Sequence, residues 1–189
     1  MDRLLQGVTI KINDKLFVKD PVSSELGKNI VRESILMINE MGWENFTFKK
    51  LGREIGSNES SIYRYFENKH KLLLYLTSWY WGWMEYYLVF ATNSIAQPKE
   101  KLLKAVQIIT REVKEDSAFS HINEVLLNKI VINEYSKSYL TKEVDVENKE
   151  GFYIIYKRLI GRIRDMIVDV DPDYQYPTSL ASTILENGL

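Results

Sequence analysis

The sequence contains no cysteine and only two histidines. Disulfides and thiolate metal sites are therefore excluded, and no metal or cofactor is expected. There is no glycine-rich phosphate loop and no nucleophile–base pairing, so an enzyme is not expected. The first residues, MDRLLQGVTIKIND, lack the long apolar core of a secretory signal. The most membrane-like run, residues 72–90, carries Thr77, Ser78 and Glu85 and is crowded with aromatic rings. A spanning helix needs about 20 mostly aliphatic residues, so no membrane span is expected and the chain reads as cytoplasmic. Internal repeats and low-complexity tracts are absent too.

What is present suits a packed globular chain. Apolar residues make up 45% and charged residues 27%, the ordinary balance for a soluble domain. Twelve tyrosines, seven phenylalanines and four tryptophans supply too much buriable surface for a disordered chain. The net charge of −1 hides a local difference: residues 45–71 carry +3 and the remainder −4. That asymmetry points weakly towards a polyanionic partner for the short segment.

Helical periodicity runs through most of the chain, and the expected fold is all-α. Residues 1–22 differ. Val8, Ile10 and Ile12 alternate with polar residues before an Asn13-Asp14 turn signal, which predicts a short hairpin or extended arm. A lone hairpin is marginal in water, so the expectation is a loose leader; its functional counterpart is an arm touching DNA or a partner subunit. Ser23 or Ser24 caps a helix from about Glu25, which Gly42 ends. Thr47 caps a second helix, Phe48 to Ile55, with Phe48, Leu51 and Ile55 on its apolar side. Gly56-Ser57-Asn58 is a turn, and Asn58 caps a third helix, Glu59 to Phe66. Ile62 and Phe66 point inward there, leaving Ser60, Ser61, Tyr63 and Arg64 outward. Two short helices joined by a glycine-containing turn, the second with a small polar front, form a helix-turn-helix over residues 23–70.

A front of that kind suits DNA. The major groove admits one helix, and close approach requires small side chains such as Ser60 and Ser61. Thr47, Tyr63, Tyr65 and Lys69, with the amides of the capped helix starts, suit phosphate oxygens, which set register rather than sequence. Lys49, Lys50 and Arg64 add an attraction that salt weakens. Against this stand plainer readings: two merely packed helices, half-buried tyrosines, and lysines on an ordinary solvated face.

Gly42, Thr47, Leu51, Ile55 and Gly56, followed by SSIYRYFENKHKLL, closely resemble the DNA-binding domain of TetR-family transcriptional regulators. The likeness covers about residues 24–75 and includes Tyr63, Tyr65 and Phe66, then Lys69, Leu72 and Leu73. The resemblance implies a homodimer on a palindromic operator, a repressor role, and DNA contacts at Thr47, Ser60, Ser61, Tyr63, Tyr65 and Lys69. It also implies that residues 71–189 form a helical ligand-binding and dimerisation domain. Three positions depart from the family pattern: Ser57, where an apolar residue is common; Glu59, where lysine is common; and Ser60, where glycine or alanine is common. A carboxylate at Glu59 favours the helix start but repels phosphate. It can instead accept a hydrogen bond from a cytosine amino group, so Glu59 is expected to shift sequence preference.

Residues 71–189 read as further helices. Asn68 caps a long one, Lys69 to about Thr92, bulky on nearly all sides. Others begin near Pro98, run through Ile122, Leu126 and Ile130, span Phe152 to Val170, and start near Pro177. Thr141 to Glu150 is charged and reads as a loop. Trp79, Trp83, Tyr86 and Phe90 are candidates to line a pocket for a small apolar or aromatic effector, with His121 orienting it; the plain alternative is that they are core. The Phe152–Val170 and Leu180–Leu185 faces, duplicated, would build a four-helix dimer interface. The competing function is a helical interaction or scaffold protein that keeps the helix-turn-helix shape without binding DNA.

Overall fold

A computed structural model describes residues 10–115, 119, 121–139 and 142–188. Its α-helices, in chain order, are α1 Glu25–Met41, α2 Phe48–Glu54, α3 Glu59–Tyr63, α4 Lys69–Thr92, α5 Pro98–Ile109, α6 Glu124–Asn133, α7 Tyr135–Tyr139, α8 Val144–Lys149, α9 Ile154–Val170 and α10 Pro177–Asn187. No strand occurs among the described residues, so the all-α expectation holds.

The chain forms two compact units. The first comprises the residues up to Tyr80 together with Val113–Phe152, and the second comprises Trp81–Glu112 with Tyr153–Leu189. Helix α4 contributes its first half to the one and its second half to the other. Its residues 72–85 are all buried. That explains the missing polar face in its sequence: a helix covered on every side shows no amphipathic stripe.

In the first unit, the core is Ile30, Val31, Ile35, Phe46, Leu51, Ile62, Phe66, Leu72 and Leu73, all fully buried. Helix α1 packs against α2 and α6. Asn39 Nδ2 on α1 donates to Leu126 O on α6 at 3.0 Å. Ser24 caps α1 by accepting from Gly27 N at 3.2 Å, and Gly42 ends it at φ 77°. Both limits fall where the capping residues place them.

The hairpin expected at the N-terminus does not form. Val8 and Thr9 lie outside the described residues. Over 10–22 the chain makes two single 3-10 turns, Asp14–Leu16 and Pro21–Ser23, each opened by an Asx side chain accepting from a backbone N–H two residues on. Those local bonds compete with strand pairing. Nor is this part loose. Leu16 is fully buried, and Ile12 and Pro21 are buried with it. Burying Leu16 alone stabilises by about 2 kcal/mol. Phe17 meets the Tyr75 ring edge-on at 6.1 Å, and Val18 N donates to Tyr65 O at 2.8 Å.

The charged stretch expected as a loop also differs. Within it α8 forms, and Glu147 is only 6% exposed. Its carboxylate meets His70 Nε2 at 2.6 Å. A long-range partner thus draws an acidic segment onto the unit and overrides its local composition.

In the second unit, α9 packs against both α5 and α10. Ile155, Leu159, Ile163, Met166 and Ile167 form its inner side. Pro98 and Pro177 occupy first helical positions, where no N–H is missed. Glu85 sits on α4 amid apolar residues and is buried, yet Arg158 Nη2 and Arg162 Nε on α9 reach it at 2.5 Å and 2.6 Å. Burial alone pushes that carboxyl up, but the hydrogen bonds and charges of the two guanidiniums outweigh it and hold the group below its ordinary value.

Candidate nucleic-acid interface

Thr47 and Asn58 set the frame of the site. Thr47 Oγ1 accepts from Lys50 N at 3.2 Å and starts α2. Asn58 Oδ1 accepts from Ser61 N at 2.8 Å and from Ser61 Oγ at 2.9 Å, and starts α3. Between the helices, Gly56 turns the chain at φ 64°, a conformation that costs other residues free energy. Gly52 lets the turn close, because a Cβ there would stand 3.0 Å from Ser57 O. Ser57 N donates to Gly52 O at 2.8 Å. Ser57, an unexpected polar residue at this point, is therefore anchored through its backbone.

Apolar packing orients the recognition helix. Ile62 is fully buried, and the Tyr63 ring lies edge-on to Phe48 at 5.1 Å. Thr47, Lys49, Lys50, Asn58, Ser60, Tyr63 and Arg64 are all exposed, while Glu59, Ser61 and Lys69 are half-buried. Tyr63 is 48% exposed, and its hydroxyl donates weakly to Glu59 Oε1 at 3.4 Å. Helix α3 ends at Tyr63 rather than Phe66. Tyr65 and Phe66 turn back into the core with their amides bonded to Ile62 O.

That turn removes Tyr65 from the exposed group. It is 3% exposed, and its hydroxyl shares a 2.7 Å hydrogen bond with Ser24 Oγ at the start of α1. The expected phosphate contact is thus replaced by a tie between α1 and the end of α3. Lys69 is anchored as well. Its ammonium donates to Trp43 O at 3.1 Å and sits 4.6 Å from the Trp43 ring centre. The carbonyls it binds belong to the loop that leads into Thr47. Lys19 was not singled out from sequence; its ammonium lies 5.2 Å from the Tyr65 ring centre. The Asx and proline turn signals at 13–21 were the clue that this segment folds back.

Of the candidate effector-lining residues, Trp79 and His121 belong to the first unit, and Trp83, Tyr86 and Phe90 to the second. Trp79 meets Phe119 edge-on at 5.1 Å and is buried. The Nε2 of His121 is buried with no hydrogen-bond partner among the described residues. Burial lowers its pKa, and the nearby charge of Lys28 lowers it further. In the second unit Trp83, Tyr86 and Phe90 join Tyr87 in one aromatic group, with Arg111 4.5 Å above the Tyr87 ring. Phe90 is 53% exposed, so it lies at the surface rather than around an enclosed cavity. No cluster of three metal-ligating side chains occurs among the described residues.

A capped two-helix unit whose second helix presents serine, tyrosine and arginine to solvent defines a helix-turn-helix DNA-binding protein. Residues 30–76 match the model of bacterial regulatory proteins of the tetR family, and the chain belongs to that family. Among solved structures it is similar to AibR in complex with isovaleryl coenzyme A and operator DNA, at 16% identity and TM-score 0.62, over 84% of this chain and 82% of that one. It also has a looser likeness to the fatty acid degradation regulator FadR from Bacillus halodurans: 21% identity, TM-score 0.42, over 85% and 93% of the two chains. No curated protein matches the chain in sequence.

Proposed function

We propose that this chain is a ligand-responsive transcriptional repressor that binds a palindromic operator as a homodimer and is released by a small apolar or aromatic effector. Its role is binding rather than catalysis, and it acts in the cytoplasm, where operator DNA lies. The observation that carries the reading is the exposed front of α3. Ser60 is small enough for groove entry, and the exposed Lys49, Lys50 and Arg64 supply positive charge beside it. Thr47, Ser61, Tyr63 and Lys69 are assigned to phosphate or base contacts, Glu59 to sequence preference, and Asn58 to holding the helix start. AibR was crystallised with operator DNA and isovaleryl coenzyme A, and a likeness of fold to such a protein is compatible with this reading.

The second copy is assigned to α9 and α10. Ile154, Gly161 and Val168 recur every seven residues on the outer side of α9, and Ile154 is 57% and Val168 37% exposed. A Cβ at Gly161 would meet nothing within 4 Å. Glycine inside a helix costs about 1 kcal/mol relative to alanine. Nothing within this unit requires it, whereas the close approach of a partner helix would.

Selection from a random duplex pool tests the reading. Enrichment of a palindrome, bound less tightly as salt rises, is the expected result. Salt-sensitive binding without any enriched palindrome would overturn the operator. No binding at all would favour the helical interaction protein instead.

A further inference from the structure

Away from α3, the first unit has a cavity of about 430 Å³ between residues 10–22 and the start of α4. Ile10, Ile12, Phe17 and Val22 supply its apolar lining, and the side chain of Tyr75 joins them. The volume falls in the range that holds small organic ligands. Lys11, Asp14 and Asp20 supply its charges, a net of −1.

Two features single it out. Tyr75 is 2% exposed and its ring is fixed by edge contacts to Phe17 and to Phe66, the latter at 5.3 Å. Its hydroxyl lines the cavity yet has no hydrogen-bond partner among the described residues. A buried hydroxyl left unpaired costs about 1–3 kcal/mol, so the arrangement favours something that supplies the missing bond. Burial and the charge of Asp20 both raise the Tyr75 pKa well above its ordinary value, which keeps the phenol protonated and able to donate.

The second feature is the carboxylates. Neither Asp14 nor Asp20 is ion-paired among the described residues, and the same holds for Lys11. One Asp20 oxygen accepts from Val22 N at 3.0 Å; the other is available. Unpaired carboxylates beside an apolar wall attract a cation carried on an apolar body, and the aromatic faces of Phe17 and Tyr75 favour the same charge.

We propose that this cavity is a binding site for a small organic cation, an ammonium group borne on an aromatic or alkyl body. The ammonium lies at Asp14 and Asp20, the body against Ile12, Phe17 and Tyr75. The site differs from the effector positions assigned to Trp79, Trp83, Tyr86, Phe90 and His121. It lies against the segment whose Val18 N–H and Ser24 hydroxyl hold Tyr65.

Calorimetric titration of the full chain with three matched probes tests it: phenethylammonium, phenethyl alcohol and 3-phenylpropanoate. Phenethylammonium is expected to bind with a Kd of about 1 mM or tighter, as the best fragments of its size do. The alcohol should bind at least about tenfold more weakly, the value of one charge-assisted hydrogen bond, and the carboxylate should not bind. Asp20→Asn keeps the oxygen that accepts from Val22 and should reduce the ammonium to the affinity of the alcohol. Asp14→Asn is the second variant, should the first lower the melting temperature on its own. Equal affinity for all three probes, no binding of phenethylammonium, or ammonium binding unaffected in both folded variants would each overturn the proposal. The titration contains no DNA, so its failure would leave the regulator reading intact, and the reverse is equally true.

Discussion

Tyr65→Phe separates a structural tyrosine from a DNA contact at one atom. The substitution keeps a ring that is 3% exposed and removes only the hydroxyl. The lost interaction is the 2.7 Å hydrogen bond with Ser24 Oγ. Ser24 Oγ still accepts from Gly27 N, so the cap of α1 survives. Ser24 is half-buried, and its hydroxyl can turn to solvent. The expected cost is therefore that of one hydrogen bond with little added desolvation, about 1 kcal/mol. For a chain of this length that lowers Tm by about 2–4 °C. The melt must be run at one protomer concentration, because dimerisation makes Tm depend on it. Urea unfolding should show a lower midpoint with an unchanged slope.

DNA affinity of the folded fraction, measured on a selected duplex, should stay within about twofold of the native value if no contact is lost. Tyr63→Phe should do the opposite. Its hydroxyl is at the surface with only a 3.4 Å bond to Glu59, so stability should hold while DNA affinity falls. If Tyr65→Phe left Tm unchanged and weakened DNA binding about tenfold, the hydroxyl would be a phosphate contact and the reasoning from burial would be refuted.

Glu59→Lys should reorder the ranking of bound sequences in a random-pool selection; tighter binding to all sequences alike would show that Glu59 only repels phosphate. Gly161→Trp should leave the helical signal intact and shift the sedimenting species to monomer at micromolar concentration; a persistent dimer would move the interface off α9. The pKa of His121 is lowered by burial, so folding favours its neutral form. Its share of stability is present above the ordinary histidine value of about 6.5 and is lost as pH falls below it. His121→Gln should accordingly flatten the stability profile between about pH 6.5 and 5, and equal slopes in urea titrations of the two proteins would count against it.

What could be read from the sequence was whatever local chemistry settles. Ser24, Thr47 and Asn58 each cap a helix with their own side chain, so those starts were legible without any tertiary knowledge. So was the inward pair Ile62 and Phe66, because a period of 3.6 leaves them one turn apart. The end of α3 was not legible. Periodicity carries the helix to Phe66, but the tertiary bonds Val18 N to Tyr65 O and Ser24 Oγ to Tyr65 Oη hold Tyr65 in the core. Tyr63 and Tyr65 are two residues apart and chemically identical, so no local rule tells the exposed one from the buried one.

The same limit applies to charge. Glu85 stands out in the sequence as a lone acid within an apolar helix, and that alone argued only against a membrane span. Its partners, Arg158 and Arg162, lie more than 70 residues away. Removing either partner from a buried pair costs far more than the pair contributes, so the three charges act as a unit that fixes α9 against the second half of α4. Asp14 and Asp20 make the contrasting case. They too stand among apolar residues, but no partner within the described chain neutralises them. A buried carboxylate matched by two arginines explains itself within the fold. Two unmatched carboxylates beside an unpaired phenol and an open volume do not, and what they lack, a positive charge with an apolar body, is a description of the ligand.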